Sequence, residues 1–169
     1  MSGKIDDKVL AGIRLVAFDV DGVFTDGRFY LSNDGVESKA FSTHDGFGIR
    51  RLLDAGVAVA VISGRNSAAV QKRMDELGVT HVVQGCADKI AAFDAITTKL
   101  GLTDTECAYV GDDIPDLPLL AKVGTSIAVA NAVSEVHDYC DYSTEARGGF
   151  GAVREVCDML LGARQRSSA

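Results

Sequence analysis

The sequence predicts an α/β fold built on a doubly wound parallel sheet. Three observations carry that expectation. Short, unbroken apolar runs recur along the chain, as strands buried on both faces require. Stretches with helical spacing stand between them. Glycine, 18 of 169 residues, falls repeatedly at the joints.

Ile13 to Phe18 is the first apolar run, and it ends in Asp19. The segment at about 24–41 differs in character: Phe29 and Leu31 flank Tyr30, Asn33-Asp34-Gly35 makes a turn, and Val36 to Phe41 follows. It reads as an inserted β-hairpin. A helix begins at Asp45, with Phe47, Ile49, Leu52 and Leu53 on one side, and stops at Asp54-Ala55-Gly56. Val57 to Ile62 is the second strand, Ser67 to Leu77 a helix closed by Gly78, and Val79 to Val83 the third strand. Asp88 to Leu100 is helical up to Gly101, and Cys107 to Val110 is the fourth strand. A short helix over Leu117 to Ala121, a fifth strand over Ser126 to Val129, and helices over Val133 to Tyr139 and Gly151 to Leu161 complete the pattern. The expected organisation is one domain over 9–161, with flexible ends at 1–8 and 162–169.

Composition narrows the function. With 47% hydrophobic and 24% charged residues the chain reads as a soluble globular domain. A net charge of −7 argues against a nucleic-acid partner, because phosphate backbones are held by an excess of Lys and Arg. No apolar run approaches the length of about 18 residues needed for a membrane span, and the N-terminus does not resemble a signal peptide. Cys86, Cys107, Cys140 and Cys157 form no CxxC pair and read as reduced thiols of a cytoplasmic protein.

In such a sheet, ligands bind beyond the carboxyl ends of the strands. There the sequence places Asp19-Val20-Asp21-Gly22, then Ser63-Gly64-Arg65, then Gly111-Asp112-Asp113 with Asp116 close behind, and Lys89 opening a helix. Asp19 and Asp112 would face each other across the point where the strand order reverses. Two carboxylates so close repel unless a cation lies between them. Mg²⁺ suits the task, since it takes oxygen ligands from one or two carboxylates together with phosphate. Asp19 could then attack phosphorus and form an aspartyl-phosphate. Lys89 and Ser63 would hold the phosphate oxygens. Asp21 could protonate the leaving oxygen and later activate water.

The string from Asp19 to Asp26, then Ser63, Lys89 and Gly111-Asp112-Asp113, resembles the four ordered motifs of the haloacid dehalogenase superfamily. The hairpin, the stretch Phe41 to Ile49 and the stretch Arg147 to Glu155 resemble the 3-deoxy-D-manno-octulosonate 8-phosphate phosphatase family over roughly Val9 to Leu161. That resemblance implies a capless phosphatase of lipopolysaccharide precursor synthesis, acting on an eight-carbon sugar-acid phosphate. It implies a homotetramer in which hairpins build a central barrel and a neighbouring subunit covers each site. It implies Asp19, Asp21 (through its backbone carbonyl), Asp112 and Asp113 at the metal. It also implies Asp21, Ser42, Thr43, His44, Asp45, Gly46, Arg50, Gly64, Arg65, Arg73, Lys89 and Asp116 on substrate.

The family often has Asn where this chain has Ser42, and Arg where it has His44. Both lie in the loop facing the sugar, so eight-carbon acid phosphates, sialic-acid-type nine-carbon phosphates and a broader range of sugar phosphates all stay open. Domains of this lineage can also serve as non-catalytic oligomerisation modules; the presence of Asp19, Asp21, Lys89 and Asp112 argues for an enzyme. From the residues alone, Arg50 and Arg73 could equally form ion pairs on helices. His44 could cap the helix that follows it. Asp113 and Asp116 could orient the metal site from behind its ligands or begin the next helix as N-terminal acids, and Gly148, Gly149 and Gly151 could simply permit a turn.

Overall fold

The computed structural model describes residues 5–169. A parallel six-stranded sheet forms its centre, in the order β5-β4-β1-β6-β7-β8. Its strands are β1 (Leu15–Phe18), β4 (Ala58–Ile62), β5 (His81–Val83), β6 (Cys107–Gly111), β7 (Thr125–Ala128) and β8 (Tyr142–Ser143). The chain winds from β1 outward through β4 to β5, then returns to β6 on the other side of β1. The reversal therefore falls between β1 and β6, where Phe18 pairs with Val110.

Alternation along each strand decides which layer each side chain joins. Val16, Phe18, Val59, Val61, Ala108 and Val110 face one core, closed by α2 (Thr43–Asp54), α3 (Ala68–Leu77) and α7 (Ala152–Ser168). Leu15, Ala17, Ala60, Ile62, Cys107 and Tyr109 face the other, closed by α4 (Lys89–Leu100), α5 (Leu117–Leu120) and α6 (Ser134–His137). β1 is buried along its whole length, as an apolar run covered on both faces must be.

The five strands expected in the sheet are present, and β8 joins them. Two residues long and ending in a serine, it offers no apolar run to read; it exists because Tyr142 and Ser143 pair with Ile127 and Ala128. The hairpin is real but short, with β2 (Tyr30–Leu31) antiparallel to β3 (Glu37–Ser38) in a sheet of its own.

The ends depart from expectation. Residues 162–168 are not a loose tail but the last turns of α7. Ala163 is fully buried, the Arg164 guanidinium donates to the Ile13 carbonyl, and Arg166 forks onto Asp7. Asp7 itself opens α1 (Asp7–Ala11), which packs on α7, so the expected flexible end at 1–8 is helical at 7–8. Residues 1–4 of that end lie outside the described residues.

Candidate active site

The β1 carboxyl end puts Asp19 beside β6, with the Asp19 amide donating to the Val110 carbonyl at 3.0 Å. The chain then turns sharply through Gly22, whose φ is +87°. A side chain there is doubly forbidden: an added Cβ would stand 1.9 Å from Asp112 Oδ2. A second glycine braces this turn from outside. A Cβ on Gly148 would meet the Gly22 carbonyl oxygen at 1.7 Å, and the Gly149 amide donates to the Val23 carbonyl at 3.0 Å. The glycines before α7 thus seat that loop against the Asp19 loop of the same chain.

Around Asp19 lies a cavity of about 300 Å³ lined by Asp21, Ser63, Gly64, Arg65, Lys89, Asp112, Asp113 and Asp116, among others. Ligand pockets usually span about 300 to 1,000 Å³, so this one is at the small end. Asp19 Oδ1 accepts from the Val20 amide at 2.7 Å and pairs with Lys89 Nζ at 3.2 Å. Ser63, 2% exposed, stands at the end of β4 and accepts from the Arg65 amide at 3.3 Å. These four catalytic candidates, Asp19, Asp21, Ser63 and Lys89, do converge on one cavity.

Asp116 takes the orienting place and not the substrate contact. It is fully buried, and four donors fill its two oxygens. Lys89 Nζ at 2.8 Å and the Tyr109 hydroxyl at 2.6 Å donate to Oδ1; the amides of Asp112 at 2.9 Å and Asp113 at 3.2 Å donate to Oδ2. A carboxylate so occupied holds the lysine and the loop in place and has no lone pair to spare for substrate. Asp113 likewise spends its side chain on the turn over Ile114–Asp116, accepting from the Ile114 amide at 2.7 Å. The carboxylates that converge are Asp19, Asp112 and Asp116, with ligand atoms within 4.8 Å of one another, and Asp113 is not among them. The Asp21 side chain is not part of that cluster; it lines the cavity, accepts from Lys39 and lies 3.9 Å from Arg65 Nε.

This crowding is visible in the electrostatics. Burial first, then the Asp116 charge, raises Asp19 to about 6, against the pull of Lys89. Burial, then Asp19, Asp116 and Asp113, raises Asp112 to about 8. Burial works against the Lys89 charge, but Asp19 and Asp116 outweigh it and the pKa rises. Burial, then the Asp116 charge, holds Tyr109 well above the usual phenol range, so its hydroxyl remains a donor. Asp112 Oδ1 is buried without a hydrogen-bond partner among the described residues. A hard divalent cation fits that gap: it would take the orphaned Asp112 oxygen and an Asp19 oxygen, and would relieve the repulsion that raises both.

The loop expected at the sugar does not reach this cavity within one chain. Ser42 caps α2, accepting from the Asp45 amide at 3.4 Å, while Thr43 and His44 are exposed. Asp45 points inward instead: it is 1% exposed and accepts from the Arg154 amide at 2.9 Å, capping α7. Burial raises its pKa, against backbone donors from α7. Gly46 is buried against the Arg73 guanidinium. Arg73 pairs with Glu76 at 3.3 Å, and Arg50 donates to the Leu77 carbonyl at 3.4 Å. Of the arginines, only Arg65 lines the cavity.

Lys39, Glu37 and Tyr109 were not expected here. Tyr109 sits inside an apolar strand and reads as core. Lys39 and Glu37 lie on the hairpin, where alternating polar residues read as a solvated face.

Residues 81–153 match the haloacid dehalogenase-like hydrolase family. The 3-deoxy-D-manno-octulosonate 8-phosphate phosphatase KdsC of Escherichia coli (strain K12) is 46% identical over 162 residues, which cover 94% of this chain and 86% of that protein. The crystal structure of 3-deoxy-D-manno-octulosonate 8-phosphate phosphatase from Yersinia pestis superposes with a TM-score of 0.93 at 40% identity, covering 100% of this chain and 97% of that one. The enzyme of the same name from Moraxella catarrhalis, solved with magnesium, phosphate and KDO, gives a TM-score of 0.92 at 41% identity, covering 96% and 93%.

Proposed function

Because the chain belongs to the 3-deoxy-D-manno-octulosonate 8-phosphate phosphatase family of haloacid dehalogenase-like hydrolases, we propose that it hydrolyses 3-deoxy-D-manno-octulosonate 8-phosphate to the sugar acid and phosphate, in lipopolysaccharide precursor synthesis. The observation that carries the chemistry is the cluster itself: Asp19 against Lys89 and close to Asp112, whose Oδ1 has no hydrogen-bond partner among the described residues. Asp19 and Asp112, with the Asp21 carbonyl, would hold Mg²⁺, which would supply positive charge for the phosphoryl oxygens.

The chain's own groups do the rest. Asp19 attacks phosphorus and the C8 oxygen departs, leaving an aspartyl-phosphate. Lys89, oriented by Asp116 and Tyr109, neutralises charge on the transferring group, and the Ser63 hydroxyl donates to another of its oxygens. Asp21 gives its proton to the departing oxygen and then takes one from the water that hydrolyses the aspartyl-phosphate. Arg65 recognises an anionic part of the substrate with its planar fork of donors.

A homotetramer completes the site in this reading. Tyr30, Leu31 and Val36 on the hairpin are 75%, 64% and 63% exposed, apolar surface on both sides of it of the kind that subunit contact buries. The loop from Ser42 to Gly46, with Arg50 and Arg73, then serves the site of a neighbouring subunit. The small cavity of a single chain supports such sharing. A cytoplasmic location goes with the four free thiols.

Phosphate release with Mg²⁺ across a panel of sugar phosphates tests the substrate. The expected best substrate is the eight-carbon keto-acid phosphate; a nine-carbon acid phosphate turned over faster would transfer the assignment to it. No release from either would overturn it. Sedimentation at a single tetrameric mass is expected, and a monomer would remove the shared site.

A further inference from the structure

The hairpin also makes contacts behind two residues of the catalytic cavity, Asp21 and Arg65. Lys39 follows β3, eighteen positions from Asp21, yet its ammonium donates to Asp21 Oδ1. Its side chain is only 1% exposed; the backbone is the part of this residue that reaches solvent. A buried ammonium is costly unless it is paired. This one has Asp21 and, at 3.5 Å, Glu37 Oε1. Glu37 grips Arg65 with its other oxygen, Oε2 to Nη2 at 2.5 Å, and the Arg65 guanidinium lies 4.3 Å from the Phe29 ring centroid. Phe29, Glu37 and Lys39 therefore tie the hairpin to both Arg65 and Asp21.

The contact divides the two oxygens of Asp21. Oδ1 is taken by Lys39, while Oδ2 lies 3.9 Å from Arg65 Nε, beyond hydrogen-bond reach. A carboxylate on a turn rotates broadly about its last torsion. Fixing one oxygen aims the other. We propose that Lys39 is a positioning residue for the reaction: it clamps Asp21 Oδ1, and thereby presents Oδ2 to the oxygen of the departing alcohol. Lys39 does not line the cavity, so it acts through Asp21 and not on substrate. This inference rests on the acid role assigned to Asp21 above.

The test compares two leaving groups. An alkoxide needs a proton as it departs, whereas p-nitrophenolate leaves without one. kcat/KM is the quantity to compare, because it reports phosphoryl transfer to Asp19 and not the later hydrolysis. The substrates are p-nitrophenyl phosphate and the best primary alkyl phosphate from the panel above. Lys39→Met is expected to lose about 30- to 100-fold on the alkyl phosphate, the cost of a group misplaced by about 1 Å. On p-nitrophenyl phosphate it is expected to lose less than about 3-fold, since no proton is needed there. The ratio of the two rates on one preparation does not depend on how much protein is folded. Glu37→Gln, which loosens the anchor of Lys39, is expected to shift the ratio in the same direction by less. Asp21→Asn is the reference. If it collapses the ratio and Lys39→Met does not, the Lys39 inference fails alone; if Asp21→Asn leaves the ratio unchanged, the acid role fails and takes the inference with it.

Discussion

Replacing Asp116 by Asn exposes how much of the site rests on one buried carboxylate. Four donors converge on its two oxygens, at 2.6 to 3.2 Å. Asn keeps one acceptor oxygen and turns the other into an NH₂ donor. If the oxygen faces Lys89 and Tyr109, the NH₂ confronts the amides of Asp112 and Asp113; if it is flipped, the lysine and the phenol are orphaned. Either way two donors lose their acceptor in a fully buried place. Each orphan costs about 1–3 kcal/mol, so the expected loss for two is about 2–6 kcal/mol, a large share of the stability of an ordinary domain. The displaced Lys89 should also lower kcat/KM by about 100-fold. Urea unfolding and steady-state kinetics measure the two effects. Asp113→Asn is the control, because Asn caps a turn as well as Asp does and the Asp113 side chain is exposed; it should leave stability nearly unchanged. Asp116→Asn as stable as Asp113→Asn, with activity intact, would refute the reasoning.

Three further outcomes are expected. Gly22→Ala drives a Cβ to within 1.9 Å of Asp112 Oδ2 and should weaken Mg²⁺ binding at least about tenfold, seen by calorimetry, since the ligand must move to make room. Asp45 has a raised pKa in the folded protein, so its contribution to stability is full below the unfolded carboxylate value near 3.8 and is lost as pH rises through the folded pKa. Asp45→Asn should remove that slope, and its stability relative to the parent, measured by denaturant melts, should improve from pH 4 to pH 7; a pH-independent gap would contradict the burial argument. Deleting residues 163–169 strips Ala163 and the Arg164 contact to Ile13 from the α1–α7 seam. It should cost about 1–2 kcal/mol, a fall of several degrees in Tm by calorimetry, where a loose tail would cost nothing.

The sequence is most informative where chemistry follows a strand. Asp19, Ser63 and Asp112 each come just after an apolar run, and the parallel sheet gathers such positions at one edge; Lys89 is legible because it opens the helix after the third strand. The supporting groups carry no such mark. Tyr109 looks like any aromatic in a buried strand until its hydroxyl meets Asp116. Lys39 is distant in sequence, and its burial depends on how the hairpin folds back. Asp45 reads as the opening acid of its own helix because the helix it caps begins more than a hundred residues later. The helical end of α7 is polar in composition, but Arg164 and Arg166 find partners near the other end of the chain. Local pattern predicts the elements and the strand-end carboxylates; contacts between distant segments decide what orients them.

The most direct test of the central claim is to quench the enzyme during turnover of the sugar-acid phosphate with Mg²⁺ and map the phosphorylated peptide. Phosphate is expected on Asp19, and the label should be absent from Asp19→Asn, which should also be inactive. Phosphate on another residue, or an Asp19→Asn variant that still turns over, would contradict it.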